Sequence, residues 1–106
     1  MHNLHTAYIF MSDALIVTKN ESLIAWLHDK GINAPVLEYA TPSDVVHKHV
    51  YGIVPYWMAA YADVVSEVTM PHLDRPDRDR FNRGLLTIQE MDQAGAELVT
   101  YRVRKV

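Results

Sequence analysis

The feature that most constrains the fold is a regular alternation of short apolar runs with the start and stop signals of helices. The first run, residues 14–18, has the length and the branched apolar residues typical of a strand buried in a parallel sheet. Asn20 follows as a helix cap, and Gly31 stands where that helix is expected to end. Further strands are predicted at residues 35–39, 49–54, 67–73 and 98–103. The sequence therefore predicts one small α/β sandwich whose mainly parallel sheet has about five strands.

Two further signals place helices between these strands. Pro55 occurs where the first position of a helix favours proline, so a helix is predicted over residues 56–65. Thr87 and Glu90 have the spacing of a capping box, which opens a helix that ends at Gly95. The pattern of strand, helix and strand continues to the last predicted strand, which alternates apolar and polar residues as an edge strand does.

Length and composition exclude several classes of protein. With 106 residues, we expect one domain, residues 14–106, preceded by an N-terminal extension, residues 1–13, outside the core. No cysteine is present, which excludes disulfides and thiol chemistry. The longest uncharged stretch, residues 50–62, is shorter than the roughly 20 residues that span a bilayer. No Lys or Arg precedes the apolar residues 7–11 as in a signal peptide, so we expect a cytoplasmic protein without a membrane partner. A formal net charge of −3 argues against nonspecific binding of duplex nucleic acid.

A ligand is expected at the carboxyl ends of the strands, because open parallel sheets bind ligands where the strand order reverses. For the order 2-1-3-4-5, that crevice lies beside the loops after strands one and three. The first loop carries Thr18, Lys19 and Asn20, and the second runs from Gly52 to Pro55. Both lead into helix N-termini, whose N–H groups favour phosphate oxygens. The alternative is structural, with Thr18 only ending its strand and Asn20 only capping its helix.

The segment 74–84 is expected to be a charged loop at the same end of the sheet. It begins with Asp74 and carries two more positive than negative charges between residues 75 and 83. Guanidinium groups bind phosphates bidentately and stack on nucleobases. The alternative is a solvated loop of mutually compensating ion pairs. The charged residues after Asp74 are Arg75, Asp77, Arg78, Asp79, Arg80 and Arg83.

Histidine offers one acid–base candidate and no expected metal site. His72 lies near the end of the fourth predicted strand, and imidazole suits proton transfer near neutral pH; the alternative is a histidine bonded to the backbone. His47 and His49 would share one side of a strand, but no third ligand has matching spacing. Trp26 and Trp57 fit core or dimer packing better than base stacking. No phosphate loop or cofactor motif occurs, so no cofactor or metal is expected.

Three stretches together resemble a known family. Gly52-x-x-Pro55-x-x-x-Ala59-Ala60 is similar to its G-x-L-P-x-x-L-A-A segment, and Asp74-x-Pro76 is similar to its L-D-L-P turn. Its C-terminal helix and last strand resemble Arg83-Gly84-x-Leu86-Thr87 and Gly95-Ala96-x-Leu98-x-x-Tyr101-x-Val103. The family is the small ancillary CRISPR protein called Csx-sixteen, which is associated with type III systems. The resemblance covers most of residues 14–103.

The resemblance implies a Rossmann-like three-layer sandwich that acts as a ring nuclease in a homodimer. Such a protein binds cyclic oligoadenylate, here cyclic tetra-adenylate, across the dimer axis. The net charge of −3 separately leads us to expect no long nucleic acid as a partner. It cleaves the ring without a metal, because the 2′-OH of each adenosine attacks the adjacent phosphodiester. The linear products carry a 2′,3′-cyclic phosphate, and their formation switches off the type III antiviral signal.

On this hypothesis Lys19 stabilises the transferring phosphate, Asn20 positions it, and His72 is a possible acid–base group. The family's first loop often reads Thr-Arg-His, so Asn20 replaces a histidine base in this chain. One alternative is therefore a noncatalytic module that sequesters the cyclic oligonucleotide. Another is a protein-interaction domain that binds no nucleotide. The expected ligand-binding residues are Thr18, Gly52, Pro55, Tyr56, Trp57, Asp74, Arg80 and Arg83.

Overall fold

The computed structural model describes residues 13–106, so the expected N-terminal extension lies, apart from Asp13, outside the described residues. The strands of this part of the chain are β1 (Ala14–Val17), β2 (Val36–Leu37), β3 (His49–Gly52), β4 (Val64–Thr69) and β5 (Glu97–Tyr101). Its helices are α1 (Glu21–Asp29), α2 (Pro42–Val45), α3 (Tyr56–Ala59), α4 (Arg75–Asn82) and α5 (Ile88–Gln93).

The strands form one sheet in the order β2-β1-β3-β4-β5. The first four are parallel, and β5 is an edge strand antiparallel to β4. Helices cover both faces of the sheet, which gives a small Rossmann-like sandwich of three layers. The predicted fold class is confirmed, and the strand order is the one for which the ligand crevice was expected beside the loops after β1 and β3.

The two faces of the sheet are covered to different depths. The face that we call the long-helix face packs against α1, α4 and α5, and its core contains the fully buried Ile16, Leu27 and Met91. The short-helix face packs against the single turns α2 and α3, over a core around Leu15 and Val50. The long-helix face is therefore the thicker side of the molecule.

Local capping signals are confirmed at four helix ends, one of them the end of α1, where Gly31 follows the C-cap residue with a φ of 88°. The Asn20 side chain accepts a hydrogen bond from the Leu23 amide and begins α1. Thr87 and Glu90 form the predicted capping box of α5. Gly95 follows that helix with a φ of 81°, in the left-handed region that favours glycine. None of the helices between residues 13 and 106 is long and apolar enough to cross a membrane.

The prediction over residues 56–65 was wrong in its length. Here α3 ends at Ala59, and β4 begins at Val64 because this residue pairs with His49 of β3. The fourth strand thus starts three residues earlier than predicted and ends at Thr69. Pro55 is the N-cap of α3 rather than its first helical residue.

The prediction of a charged loop at residues 74–84 was also wrong, because α4 occupies most of this segment. The Asp74 side chain accepts a hydrogen bond from the Asp77 amide. Pro76 lies in the first turn, where the amide N–H that proline lacks would have no partner within the helix. These two signals favour a helix, although the high proportion of charged residues in this segment is typical of a solvated loop. In this helix Arg78, and not Arg80 or Arg83, lines the space at the carboxyl ends of the strands.

Candidate functional site

A cleft opens at the carboxyl ends of β1, β3 and β4, on the long-helix face. The chain leaves β1 through α1 on this face and leaves β3 through α3 on the other, so the two connections diverge. The space between them has a volume of about 510 Å³, which is typical of a small-molecule site. We call it the carboxyl-edge cleft. Its polar lining residues are Thr18, Asn20, Thr69, Arg78 and Asn82, and its apolar ones include Ile53, Met70 and Phe81.

Gly52 sets the distance between β1 and β3 below this cleft. Its φ is 137°, and a Cβ atom built on it would lie 2.1 Å from the carbonyl oxygen of Val17. A side chain would therefore collide with the backbone of the neighbouring strand. Gly52 was predicted to bind the ligand. Its observed contacts show instead that the close packing of β1 against β3 requires a glycine at this position.

Asn20 joins the loop after β1 to α4. Its Oδ1 accepts from the Leu23 amide at 3.1 Å, and its Nδ2 donates to the Phe81 carbonyl at 2.8 Å. Its own amide donates to Thr18 Oγ1 at 3.0 Å. Both polar atoms of the Asn20 side chain thus hold one wall of the cleft, and its predicted contact with the transferring phosphate stays a prediction.

Lys19 lies beside the cleft but does not line it. Its Nζ donates to the Tyr39 hydroxyl at 3.2 Å and lies 5.5 Å from the centre of that ring. Tyr39 follows β2, which is on the opposite side of β1 from β3 and β4. The hydrogen bond to Tyr39 raises the pKa of Lys19, so the exposed ammonium group stays charged.

Arg80 is held in an ion-pair cluster outside the cleft. Its guanidinium donates to both carboxylate oxygens of Glu90 and, at 3.1 Å, to Asp77. The hydrogen bonds to Arg80 lower the pKa of Glu90 to about 2, and they raise the pKa of Arg80. Arg83 is exposed at the C-cap of α4. These two arginines were the expected cationic ligand contacts, and neither lines the cleft, whereas the expected contact Thr18 does.

Arg78 is the cationic residue that lines the cleft. It was not among the expected ligand-binding residues, which included Arg80 and Arg83 instead. Its guanidinium makes no hydrogen bond or ion pair within residues 13–106. Phe81 and Asn82 follow it at helical spacing and line the same wall. The signal was present in the sequence: if segment 74–84 is taken as a helix, Arg78 and Arg80 lie on different faces.

The remaining predicted residues lie elsewhere. His72 is exposed in the loop before α4, where its amide donates to the Ala94 carbonyl and its ring lies against Gly95. Pro55, Tyr56 and Trp57 lie at the start of α3 on the short-helix face, and Asp74 caps α4. Between residues 13 and 106, no three His, Asp or Glu side chains are grouped so that they could hold a metal ion.

The cleft has the chemistry of a site for an anion with an apolar part. Arg78 supplies one positive charge, Thr18 and Thr69 supply hydroxyl groups, and Phe81 with Met70 supplies apolar surface. The chain matches no model of a known protein family, no curated protein and no solved structure.

Proposed function

We propose that this protein is a ring nuclease that binds cyclic oligoadenylate, in particular cyclic tetra-adenylate, in the carboxyl-edge cleft and cleaves it without a metal ion. The observation that carries the proposal is the Arg78 guanidinium, which lines this cleft without a partner in residues 13–106. A nucleotide supplies the anion that this cation lacks. The choice of cyclic oligoadenylate as the ligand comes from the motifs that resemble the type III CRISPR family.

Binding uses both parts of a nucleotide. Arg78 donates two hydrogen bonds to one phosphate, with the geometry that a guanidinium fork favours. Phe81 and Met70 offer apolar contacts to an adenine, and the Thr18 hydroxyl is available to a ribose or phosphate oxygen. Lys19, beside the cleft, adds a second positive charge to the local field.

The proposed reaction needs positioning and charge stabilisation more than a strong base. The 2′ oxygen of one adenosine forms a bond to the adjacent phosphorus, and the bond from phosphorus to the 5′ oxygen breaks. The proton of the 2′-OH is released, and the leaving 5′ oxygen takes up a proton, so the products are a 2′,3′-cyclic phosphate and a 5′-OH. Arg78 stabilises the negative charge of the phosphorane as it forms.

A homodimer would complete the site. A ring of four nucleotides is larger than one cleft of about 510 Å³, whereas two copies related by a twofold axis present the same cleft twice. Each copy would then hold part of a symmetric ring.

The decisive experiment incubates the purified protein with cyclic tetra-adenylate, with and without EDTA, and separates the products by chromatography. We expect linear products with cyclic-phosphate ends in both tubes. Arg78→Gln should slow single-turnover cleavage at least about tenfold, because a hydrogen bond to a charged group is lost. Arg75→Gln, an exposed arginine on the same helix that does not line the cleft, is the matched control and should leave the rate unchanged.

The role of Lys19 has its own test. Lys19→Ala should slow the same reaction if the ammonium group stabilises the phosphate, and an unchanged single-turnover rate contradicts that role. If cyclic tetra-adenylate stays intact in every tube, the proposal that the protein is a nuclease is wrong.

The second candidate function is sequestration of the ring without cleavage. Its specific support is that the described lining of the cleft contains no His, Asp, Glu or Lys side chain that could transfer a proton. Sequestration predicts an intact ring together with a raised unfolding temperature. A ligand at 100 times its Kd adds about 2.7 kcal/mol of stability, whereas a protein-interaction domain would show no shift.

A further inference from the structure

The short-helix face carries a groove that the proposed nuclease site does not use. Two adjoining cavities of about 620 and 480 Å³ share Tyr56, Val103 and Arg104. The first extends along β4 to Glu67 and Tyr101, and the second extends over α3 to Trp57 and Tyr61. We call the combined surface the aromatic groove. It lies on the opposite face of the sheet from the carboxyl-edge cleft, and the two surfaces meet at Ile53, after β3, which lines both.

Aromatic rings line this groove with their surfaces open to solvent. Tyr56 is 84% exposed, Trp57 61% and Tyr101 48%. The one ring stack among residues 13–106, between His49 and Tyr51, lies on the other face of the sheet. Large aromatic side chains exposed in a group mark a binding surface more often than a free surface.

The groove also carries a cluster of positive charge. Arg102, Arg104 and Lys105 line it, and no hydrogen bond or ion pair links them to the rest of residues 13–106. Glu67 is its one acidic lining residue. The groove thus has an excess of two positive charges in a chain whose formal net charge is −3.

We propose that the aromatic groove binds a short single-stranded polynucleotide. Exposed tyrosine and tryptophan rings offer stacking surfaces to unpaired bases, and the three cations offer contacts to the phosphates between them. A second copy of this chain fits less well, because a twofold contact centred on the groove brings the cations of both copies together. An acidic peptide would satisfy the charges and leave the ring faces unused. The overall charge of −3 disfavours a long duplex but not a few nucleotides bound at a local basic surface.

The test measures fluorescence anisotropy of labelled oligoadenylate strands of about 12 nucleotides, one of RNA and one of DNA. We expect saturable binding whose affinity falls with salt. Trp57→Ala should weaken it about tenfold, and Trp57→Phe should retain most of it because the stacking surface persists. Arg104→Gln should reduce the salt slope by about 0.7, the value for one phosphate contact on a single strand. Arg75→Gln serves as the charge-matched control outside the groove and should bind as the unaltered protein does.

The two strands distinguish the source of the ligand. Equal affinity assigns the groove to stacking and phosphate contacts alone, and tighter binding of the RNA strand adds a contact to the 2′-OH. Unchanged unfolding temperatures of the Trp57 variants show that a loss of binding is not a loss of folding.

Four results overturn the proposal. The first is no binding of either strand. The second is binding that Arg78→Gln abolishes and Trp57→Ala leaves intact, which assigns the strand to the carboxyl-edge cleft. The third is displacement of the strand by polyglutamate as readily as by unlabelled strand, which assigns the groove to an acidic peptide. The fourth is a dimer in sedimentation that Trp57→Ala dissociates, which assigns the groove to a second copy of the chain. None of these results measures cleavage of the ring, which the chromatographic test follows directly, so the two proposals can fail separately.

Discussion

The two faces of the sheet differ in what their side chains do. On the long-helix face, three helices bury Ile16, Leu27 and Met91 completely. On the short-helix face, two single turns cover part of the sheet and leave Tyr56 and Trp57 in solvent. Because buried apolar area supplies most of the stability of a small domain, the long-helix face carries more of it.

The same difference separates the two candidate sites. The carboxyl-edge cleft lies where the deep core of the long-helix face ends, and Asn20 fixes its wall by hydrogen bonds. The aromatic groove lies on the thinner face, where exposed rings are free to contact a partner. We therefore expect substitutions on the two faces to have distinct effects on stability and on binding.

The largest loss of stability is expected for substitution of Gly52, which lies where β3 packs closely against β1. Gly52→Ala would place a Cβ atom 2.1 Å from the Val17 carbonyl oxygen, at a φ of 137° that disfavours a side chain. The variant should lose about 4 kcal/mol of unfolding free energy, from backbone strain and overpacking together. Urea unfolding measures the loss. Gly31→Ala is the control, since its φ is 88° but no atom lies within 4 Å, and it should cost about 1 kcal/mol. Equal losses would refute the close contact as the cause.

The next effect compares one methionine on each face. Met91→Ala should cost about 3 kcal/mol, because the fully buried side chain leaves a cavity under α5. Met58→Ala, on the single turn α3, should cost about 2 kcal/mol, because it is closer to solvent and its helix can relax. Both values follow from urea unfolding monitored by circular dichroism. A larger loss for Met58→Ala would reverse the assignment of the deeper core.

A smaller loss of stability is expected for substitution of Asn20, which joins the loop after β1 to α4 beside the cleft. Asn20→Ala removes the cap of α1 and the donor to the Phe81 carbonyl, and should cost about 2 kcal/mol. Asn20→Ser keeps a capping hydroxyl but cannot reach Phe81, and should cost about 1 kcal/mol. Thermal unfolding distinguishes the two. If Asn20→Ser unfolds like the unaltered protein, the link to α4 does not stabilise the fold.

The parts of the fold that the sequence predicts are those whose causes lie within a few residues. Asn20 caps α1 through an amide three residues later, and Thr87 pairs with Glu90 over the same distance. A mainly parallel sheet covered by helices follows from the alternation of strands and helices along the chain and from the short connections between them. Both kinds of rule need no contact between distant parts of the chain.

The parts that the sequence does not predict depend on distant contacts. Val64 and Val65 continue the helical pattern after Ala59 and become strand because they pair with β3. Arg78 reaches the cleft because α4 is tied to the loop after β1, through a bond between Asn20 and Phe81, 61 residues apart. Residues 74–84 contain so many charged side chains that they resemble a loop, although the helix cap at Asp74 is a local signal.

The smallest expected effect is on the dependence of stability on pH. Hydrogen bonds to Arg80 lower the pKa of Glu90 from 4.5 to about 2, on the long-helix face. Because the folded state favours ionised Glu90, this contribution to stability is complete above pH 4.5 and is lost as the pH falls toward about 2. Glu90→Gln should therefore be less stable than the unaltered protein at neutral pH, and the two should converge in acid. Urea midpoints between neutral pH and about pH 3 measure the convergence.

Asp44 provides the matched comparison on the short-helix face. Hydrogen bonds from Thr41 lower its pKa too, so Asp44→Asn should converge with the unaltered protein in the same direction. Asp44 has no ion pair in residues 13–106, whereas Glu90 is held by both arms of a guanidinium, so the effect at Glu90 should be larger. Added salt should reduce the effect at Glu90, because both side chains are partly exposed and their charges are screened. A larger effect at Asp44, or no response to salt at Glu90, would show that helix capping and not the ion pair makes the long-helix face sensitive to acid.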